Sequence, residues 1–329
     1  MSAYYRPLIE ASGSHVLAGG WCRFERVEVL ERGQISKICL AAEIPKAYLQ
    51  RLVRPRPNVG SIKIRRPLVM GILNVTPDSF SDGGRFEGSE LSTERAEEMV
   101  RDGADVIDIG GESTRPGADF VPHEREKSRT RPVIMALRQA GISIPLSIDT
   151  RKSSVAAAAL KAGADWLNDV SALTYDVGMA EVAARSGAPI CLMHASNDLQ
   201  TIQQKPYYDH VVLDVYDYLQ GQIDAAVSQG VRRAQIIIDP GIGFTKTQDH
   251  NLQLLRNLSI FHGLGCPLLL GSSRKRFIGT ISGVQKAEER MPGSVSVALA
   301  SIAQGAQIIR VHDVLETVQA FKLWAAVHG

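Results

Sequence analysis

The sequence contains little of what marks the more specialised protein classes. Only 4 of its 329 residues are cysteines, and none of them stand in a CxxC pair. This excludes a disulfide-stapled scaffold and favours buried thiols in a reducing compartment, so we expect a cytoplasmic protein. No apolar run approaches the ~18 residues of a membrane-spanning helix, and Arg6, Glu10 and His15 interrupt any N-terminal secretion signal. We therefore expect no membrane partner.

A charge excess of either sign is also missing from the chain as a whole. It has 37 Lys and Arg against 35 Asp and Glu, a net charge of +2, whereas dedicated nucleic-acid binders carry a clear basic excess. The balance is uneven, because residues 1–66 carry a net charge of +7 and residues 67–329 one of −5. For the acid-free stretch 51–66 we favour a basic face that packs on the acidic remainder, or on its dimer mate, over nucleic-acid binding.

Short apolar runs separated by helical stretches occupy the chain from residue 67 onward. There are eight of them, at residues 68–75, 105–110, 145–149, 166–170, 189–194, 235–239, 267–271 and 307–312. Several helical stretches end in a Gly-Ala pair, whose glycine suits the left-handed residue that turns a helix into the next strand. These pairs begin at Gly103, Gly163, Gly187 and Gly305. No GxGxxG or GxxxxGK(S/T) sequence follows a run, so the pattern favours an α/β fold of the (β/α)8 TIM barrel type over a doubly wound sheet.

The first 66 residues do not continue this rhythm. Residues 21–30 and 35–40, joined by a polar turn that contains Gly33, predict a β-hairpin. The basic stretch after them contains prolines and is typical of a linker. We therefore predict two units: a small β-rich N-terminal extension at residues 1–66 and a barrel at residues 67–329.

Polar side chains end or follow every predicted strand, and in a barrel the carboxyl ends of the strands meet at one face, where the active site lies. They are Asn74, Glu112, Ser113, Thr114, Arg115, Asp149, Asn168, Asp169, His194, Asp239, Ser272, Ser273, Arg274, Lys275, Arg310 and His312. Any one of them alone could cap a helix or satisfy loop amides. A rim to which all eight strands contribute indicates an active site.

The residue types at this rim narrow the ligand. Asp149, Asn168 and Asp239 offer two carboxylates and an amide, which can bind a flat heterocycle with adjacent N–H and NH₂ donors. Arg310 and His312 offer a cationic pocket suited to phosphate, with Mg²⁺ as a bridging ion. The sequence therefore predicts a heterocycle that bears a phosphate or diphosphate.

Seven motifs that fall in order on these strand ends closely resemble the dihydropteroate synthase family. They are MGILNVTPDSFSDGGRF at 70–86, IGGESTRPGA at 109–118, SIDT at 147–150, NDV at 168–170, DPGIGF at 239–244, SRKRFIG at 273–279 and RVHD at 310–313. The resemblance covers residues 67–329. It implies condensation of a dihydropterin hydroxymethyl diphosphate with p-aminobenzoate to give dihydropteroate and pyrophosphate, with sulfonamides competing for the aminobenzoate site, and a homodimer formed through the last helices.

The resemblance also implies a role for individual residues. The pterin would be held by Asp149, Asn168, Met193, Asp239, Phe244 and Lys275. The diphosphate would be held by Asn74, Arg310 and His312, with Mg²⁺ on Asn74. The p-aminobenzoate would be held by Phe80, Thr114, Arg115, Pro116 and Ser273. Asp149, Lys275 and Arg310 are the expected catalytic residues.

The chemistry then requires charge stabilisation rather than a dedicated base. Loss of diphosphate leaves a delocalised cation on the pterin CH₂, so we expect Asp149 near that cation and Arg310 and His312 with Mg²⁺ on the leaving group. The aryl amine attacks as the neutral species and is nucleophilic without a strong base.

The chain departs from the family pattern at two places. Residues 194–198 replace the family's usual sequence after the fifth strand, and Thr245 stands where glycine is usual.

Two alternative functions stay open. A pterin-dependent methyltransferase would share the carboxylates and amide but would need no diphosphate pocket. A non-catalytic pterin-binding homologue would have lost Asp149, Lys275 or Arg310, and all three are present.

Overall fold

Residues 3–75, 85–113, 119–195 and 207–328 are described in this computed structural model. The N-terminal part forms an antiparallel sheet and a short helix. Its elements are β1 (Tyr4–Ile9), β2 (His15–Val16), β3 (Arg23–Leu30), β4 (Lys37–Leu40) and α1 (Lys46–Val53). The predicted hairpin is β3 with β4, in a register that pairs Arg26 with Leu40 and Val29 with Lys37. The sequence pattern did not reveal β1, β2 or α1.

Eight parallel strands follow, each close to a predicted run. They are β5 (Leu68–Asn74), β6 (Val106–Gly110), β7 (Leu146–Asp149), β8 (Trp166–Asp169), β9 (Ile190–Met193), β10 (Ile236–Asp239), β11 (Leu269–Leu270) and β12 (Ile308–Val311). The sheet order is β10-β9-β8-β7-β6-β5-β12-β11, and a parallel bridge between Ile238 and Leu268 joins its two ends. The predicted (β/α)8 barrel with a β-rich N-terminal extension is confirmed.

Helices alternate with these strands and cover the outside of the barrel. They are α2 (Arg85–Asp102), α3 (His123–Gln139), α4 (Ser153–Ala162), α5 (Met179–Ser186), α6 (Val211–Ser228), α7 (Gln248–Arg256), α8 (Arg276–Ser282), α9 (Met291–Ile302) and α10 (Val314–His328). The predicted glycine turns are confirmed, since Gly103, Gly163, Gly187 and Gly305 all have a positive φ of between 72° and 115°. None of the helices in the described ranges has the length and apolarity required to span a bilayer.

A tight turn fills the end of the barrel at which the strands begin. Val59 and Ile62 exchange two backbone hydrogen bonds of 3.0 Å, and Val59 is buried in the apolar cluster of inward-facing strand residues that includes Trp166. A Cβ on Gly60 would lie 3.0 Å from the Trp166 indole nitrogen. The turn therefore packs directly on the barrel floor, and part of the predicted linker has a structural role.

The extension packs on the side of the barrel through hydrogen bonds and ion pairs. Trp21 donates from its indole N–H to the carbonyl of Ile302 at 2.7 Å. Arg32 pairs with Asp214 at 2.6 Å and with Asp217 at 2.8 Å. Both residues precede the basic stretch 51–66, so the packing expected of that stretch and the boundary at residue 66 stay predictions.

Two exposed glycines allow backbone strain to be measured apart from packing. A Cβ would meet no atom within 4 Å at either Gly221, inside α6, or Gly141, whose φ is +83°. We expect Gly221→Ala to raise the free energy of unfolding by about 0.5–1 kcal/mol, because it restricts the unfolded chain and suits a helix. Gly141→Ala should lower it by about 1 kcal/mol, because alanine is strained at positive φ. Urea unfolding measures both changes, and equal signs would contradict this reading.

Candidate active site

Strand alternation determines which side chains line the barrel mouth. On β6, Ile107 and Ile109 pack in the outer cluster against the helices, while Val106 belongs to the inner cluster at the floor. Because side chains alternate between the faces of a strand, Asp108 and Gly110 also point inward. The interior thus changes from apolar at the floor to charged at the mouth, and Asp108 is fully buried.

Arg310, on β12, joins two carboxylates from the neighbouring strands β6 and β7. Its Nε donates to Asp108 Oδ2 at 2.6 Å and its Nη2 donates to Asp149 Oδ2 at 2.8 Å. The Asn168 amide donates to the same Asp108 oxygen at 3.0 Å. Three predicted residues, Asp149, Asn168 and Arg310, are therefore brought together. Asp108, which links Arg310 with Asn168, was not predicted from the sequence.

The sequence does contain a sign that Asp108 is unusual, because it is an acid between apolar residues inside the run DVIDIG, whose other acid, Asp105, stands at the start. A buried acid at an inward position needs a partner, but from this strand the predicted rim included only residues that follow it, Glu112 to Arg115. Asp108 lies two residues deeper than the end of β6. Its second oxygen, Oδ1, and Oδ1 of Asp149 are buried and have no hydrogen-bond partner within the described structure.

Burial controls the charge of this cluster. It raises the pKa of Asp149 to about 7, with Arg310 opposing the rise and Asp108 adding to it. Burial also opposes the charge of Arg310, but the two carboxylates outweigh it and raise the pKa of the guanidinium. The site therefore keeps a permanent cation beside a carboxyl group that titrates near neutrality.

Asp239, Phe244 and Lys275 form the opposite wall. Asp239 Oδ1 accepts from the backbone N–H of Gly241 at 2.7 Å. The Lys275 Nζ lies 4.2 Å from the centre of the Phe244 ring and donates to the carbonyl of Ile242. Burial lowers the pKa of Lys275 to about 7 against the attraction of Asp239, and burial raises the pKa of Asp239 against the attraction of Lys275.

An apolar patch joins this wall. Met193, Val170 and Ala195 form one buried cluster, and Phe244 packs against it. Met193 and Phe244, predicted as apolar walls, thus lie in the same patch. Ala195, one of the departures from the family pattern, belongs to it as well.

The second departure is accommodated without loss of the turn. Thr245 adopts a φ of 46°, in the left-handed region that favours glycine. The next residue, Lys246, holds the loop by donating to the carbonyls of Gly241 at 2.9 Å and Phe244 at 3.1 Å. Its Nζ also lies 2.8 Å from Nδ1 of His194, and burial lowers the pKa of both side chains well below their ordinary values.

The remaining predicted residues lie at the rim. Ser273 Oγ is 3.0 Å from Nδ1 of His312 and accepts from the His312 backbone N–H at 3.2 Å. Asn74 is exposed, and its Oδ1 lies 3.6 Å from where a Cβ on Gly110 would stand. Phe80, Thr114, Arg115 and Pro116 fall outside the described residues.

Small residues leave room in the mouth. A Cβ on Gly110 would lie 3.7 Å from the Asp149 Cβ, and one on Gly271 would lie 3.8 Å from both Arg310 Cβ and Asp239 Oδ2. These are ordinary van der Waals distances, so a methyl group would fit at either position. The absence of side chains at both positions leaves space between the two charged walls that a flat ligand can use.

Comparison with known proteins decides the family. The family described as "Pterin binding enzyme" matches residues 70–312. The dihydropteroate synthase of a Synechocystis strain is 48% identical over 259 residues, which span 79% of this chain and 89% of that protein. The Escherichia coli enzyme is 44% identical over 80% of this chain and 92% of its own. The chain belongs to the dihydropteroate synthase family. The resemblance predicted from the seven motifs is confirmed.

Solved structures of the dihydropteroate synthase family agree. The Xanthomonas albilineans enzyme with 4-aminobenzoic acid has a TM-score of 0.78 and 44% identity, covering 84% of this chain and 98% of that one. The Yersinia pestis enzyme in a sulfonamide complex has a TM-score of 0.75 and 45% identity, covering 80% and 94%. Both relatives are matched over almost their whole length, whereas part of this chain has no counterpart in them.

The raised pKa of Asp149 predicts a pH dependence of stability in this family member. The unfolded chain loses the Asp149 proton near the ordinary pKa of 3.8 and the folded chain near about 7. The folded state therefore binds the extra proton between these values, and stability falls as pH rises. We expect the free energy of unfolding to fall by about 1.4 kcal/mol per pH unit more in the wild type than in Asp149→Asn over that window.

Asp176→Asn is the control for this experiment. Burial works against the charge of Asp176, but hydrogen bonds from Ser153 and Gly178 lower its pKa. The stability that the ionised Asp176 contributes is therefore lost only below about pH 4. Urea unfolding between pH 4.5 and 8 should give Asp176→Asn the same slope as the wild type. An unchanged slope in Asp149→Asn would refute the assignment.

Proposed function

We propose that this chain is a dihydropteroate synthase, which condenses 6-hydroxymethyl-7,8-dihydropterin diphosphate with p-aminobenzoate to give 7,8-dihydropteroate and pyrophosphate. Its family membership supports this, as do related structures described with 4-aminobenzoic acid and with 7,8-dihydropteroate. The observation that carries the proposal is the bridge by Arg310 between Asp108 and Asp149 at the centre of the mouth. It places a cation and a carboxyl group side by side, where they can stabilise the opposite charges that form when a C–O bond ionises.

The charged walls suit the pterin ring. Asp239 and Asn168 supply a carboxylate and an amide for the ring N–H and NH₂ groups, and Lys275 supplies a donor. Met193 and Phe244 offer flat apolar surface for the ring faces. The unpartnered Oδ1 of Asp149 is a further buried acceptor, which a ring N–H would satisfy.

The residues act by stabilising separating charges. The C–O bond between the pterin CH₂ and the diphosphate breaks, and its electron pair leaves with the diphosphate. Asp149, when ionised, stabilises the cation that remains. The lone pair of the aryl amine then forms the C–N bond, and the amine proton passes to solvent. Arg310 offers five N–H donors and spends two on the carboxylates, so others remain for the diphosphate.

Magnesium is part of the proposal, and Asn74 would hold it. Within the described residues no three or more His, Cys, Asp and Glu side chains are arranged to hold a metal ion. Asn74 offers one exposed neutral oxygen beside the space left by Gly110. This fits an ion whose other ligands are water and diphosphate oxygens. Bound there, Mg²⁺ would add positive charge next to the leaving group.

The aminobenzoate side of the site is proposed from the family resemblance together with the rim. Ser273 Oγ lies 3.0 Å from Nδ1 of His312, the residue proposed to hold the leaving diphosphate. Phe80, Thr114, Arg115 and Pro116 complete the proposed pocket. Sulfonamides would compete there, as the Yersinia pestis complex supports for a relative.

A homodimer and a cytoplasmic location complete the proposal. Helix α10 exposes Leu315, Leu323 and Val327, and α8 exposes Ile281. Exposed apolar residues on the last helices support an interface there. The four cysteines are free thiols, which supports a reducing compartment.

The role of Asp149 predicts a separation of turnover from binding. Asp149→Asn keeps an acceptor oxygen but removes the charge beside the forming cation. We expect kcat to fall by roughly 10²–10³-fold, the usual effect of losing such a group, while pterin affinity changes far less. Steady-state kinetics with pterin titration measures both, and comparable losses in the two would contradict the cation role.

The reaction itself is tested by pyrophosphate release from the pterin diphosphate. We expect a product whose formation requires p-aminobenzoate. A pterin-dependent methyltransferase or a non-catalytic homologue would give no such product. Sulfonamide should inhibit competitively with p-aminobenzoate, and inhibition that added aminobenzoate does not relieve would contradict the shared pocket.

A further inference from the structure

Lys246 takes no part in the proposed reaction, yet it contacts the backbone of residues that do. It belongs to residues 240–247, which connect β10 with α7 and which we call the β10 loop. Its Nζ donates to the carbonyls of Gly241 at 2.9 Å and Phe244 at 3.1 Å, both in this loop. The same Nζ lies 2.8 Å from Nδ1 of His194 and donates to the His194 carbonyl at 3.2 Å. One ammonium group therefore joins the β10 loop to the chain that follows β9.

The groups that this ammonium binds are next to those proposed to hold the pterin. The side chain of Phe244 packs against the apolar cluster that contains Met193, and Met193 directly precedes His194. Gly241 donates its backbone N–H to Asp239 Oδ1 at 2.7 Å. Described contacts therefore lead from one ammonium group to the apolar wall and to one carboxylate of the proposed pterin site.

The β10 loop is tightly packed and strained. A Cβ on Gly241 would lie 1.9 Å from the His194 carbonyl oxygen, and one on Gly243 would lie 2.5 Å from Lys275 Cδ. Thr245 has a φ of 46°, and a residue other than glycine keeps such a conformation only where its surroundings fix it. We therefore expect the loop to change shape when contacts that hold it are lost.

The contact between Lys246 and the His194 side chain requires a neutral imidazole. Nδ1 accepts a hydrogen bond from an ammonium group only when it carries no proton. Burial, together with the charge of Lys246, lowers the pKa of His194 well below its ordinary value of 6.5. The imidazole also packs edge-on against the Tyr218 ring, with 4.7 Å between the ring centroids. His194 is thus an ordered acceptor for Lys246 at neutral pH.

Stability alone does not account for a lysine at this position. Burial works against its charge and lowers the pKa of Lys246 well below the ordinary value. An apolar side chain of similar volume would avoid the unfavourable removal of a charge from water. What the ammonium group adds is three directed N–H donors, which determine where the bound carbonyls lie. The effect of that geometry is on the loop that carries Phe244.

We propose that Lys246 is a positioning residue for the pterin, which fixes the β10 loop against the chain after β9 so that Phe244, Met193 and Asp239 face one ligand. This inference rests on the proposed function, since it assigns those three residues to the pterin. Ser273, of the proposed aminobenzoate pocket, follows a different strand, β11. Loss of Lys246 should therefore affect the two substrates differently.

The first variant is Lys246→Met in the full-length protein, which keeps most of the side-chain volume and removes all three donors. We expect the dissociation constant of 6-hydroxymethyl-7,8-dihydropterin, titrated without p-aminobenzoate, to rise by about tenfold or more, because misplaced binding groups have effects of this size. KM for the pterin diphosphate should rise with it. At saturating pterin diphosphate, kcat and the KM for p-aminobenzoate should stay within about threefold of the wild type.

A milder pair of variants tests the contact with His194 while Lys246 stays in place. Asparagine can place its side-chain oxygen near the position of the imidazole Nδ1, whereas leucine has a similar shape but accepts no hydrogen bond. Both His194→Asn and His194→Leu lose the ring contact with Tyr218, so the two variants differ in the acceptor for Lys246. We expect the pterin dissociation constant of His194→Leu to exceed that of His194→Asn by about threefold or more.

Arg138→Met is the matched control, because it also removes hydrogen bonds to three backbone carbonyls. Arg138 donates to the carbonyls of Gly163, Ile142 and Ile144, which precede β8 and β7 at the floor end of the barrel. We expect it to lower the melting temperature without changing the dissociation constant of the pterin. Weaker pterin binding in Lys246→Met at a similar loss of melting temperature supports the positioning role.

Three results would overturn the inference. A lower melting temperature of Lys246→Met with unchanged pterin affinity would mean a structural role only. A parallel rise of the KM values for both substrates would mean a general disturbance of the barrel. If Lys246→Met does not fold, equal pterin affinities of His194→Asn and His194→Leu would also overturn it. Failure of the proposed function is separate, because the wild type itself would then form no aminobenzoate-dependent product.

Discussion

The charged mouth depends on one interaction, the pairing of the partly buried Arg310 with Asp108 and Asp149. Burial works against the charge of the Arg310 guanidinium, and the carboxylates compensate for it. Burial also disfavours the ionised form of Asp149, which the guanidinium opposes. Neither could be removed alone without leaving an uncompensated charge. The three residues lie on β12, β6 and β7, so this interaction also ties strands from two parts of the chain. A site made in this way has its electrostatic field in place before any substrate arrives.

The barrel and most of its rim could be predicted because they follow local rules. Buried parallel strands appear as apolar runs, and glycines such as Gly163 and Gly187 mark the ends of helices. Strand ends converge by topology, so Asp149, Asn168 and Arg310 could be expected at one mouth. The seven motifs then identified the family, which composition and periodicity alone do not.

What the sequence did not reveal depends on contacts between distant residues. Asp108 was missed because its role comes from Arg310, 202 residues away. The buried ion pairs of Lys152 were not predicted either, because a lysine after a strand resembles any loop lysine until its contacts with Glu112, Glu126 and Val121 are seen. In the extension, β1 contains Pro7 and Arg6, which break the usual strand pattern, and only pairing with β3 shows that it is a strand. Such elements are determined by tertiary structure rather than by propensity.

The Val59–Ile62 turn covers the floor of the barrel, where apolar side chains pack the interior, so the mouth is the end from which a molecule can approach Asp149. Every molecule that reaches Asp149 must cross the same rim. A four-residue turn far from the chemistry thus leaves the barrel with a single end that is open to ligands.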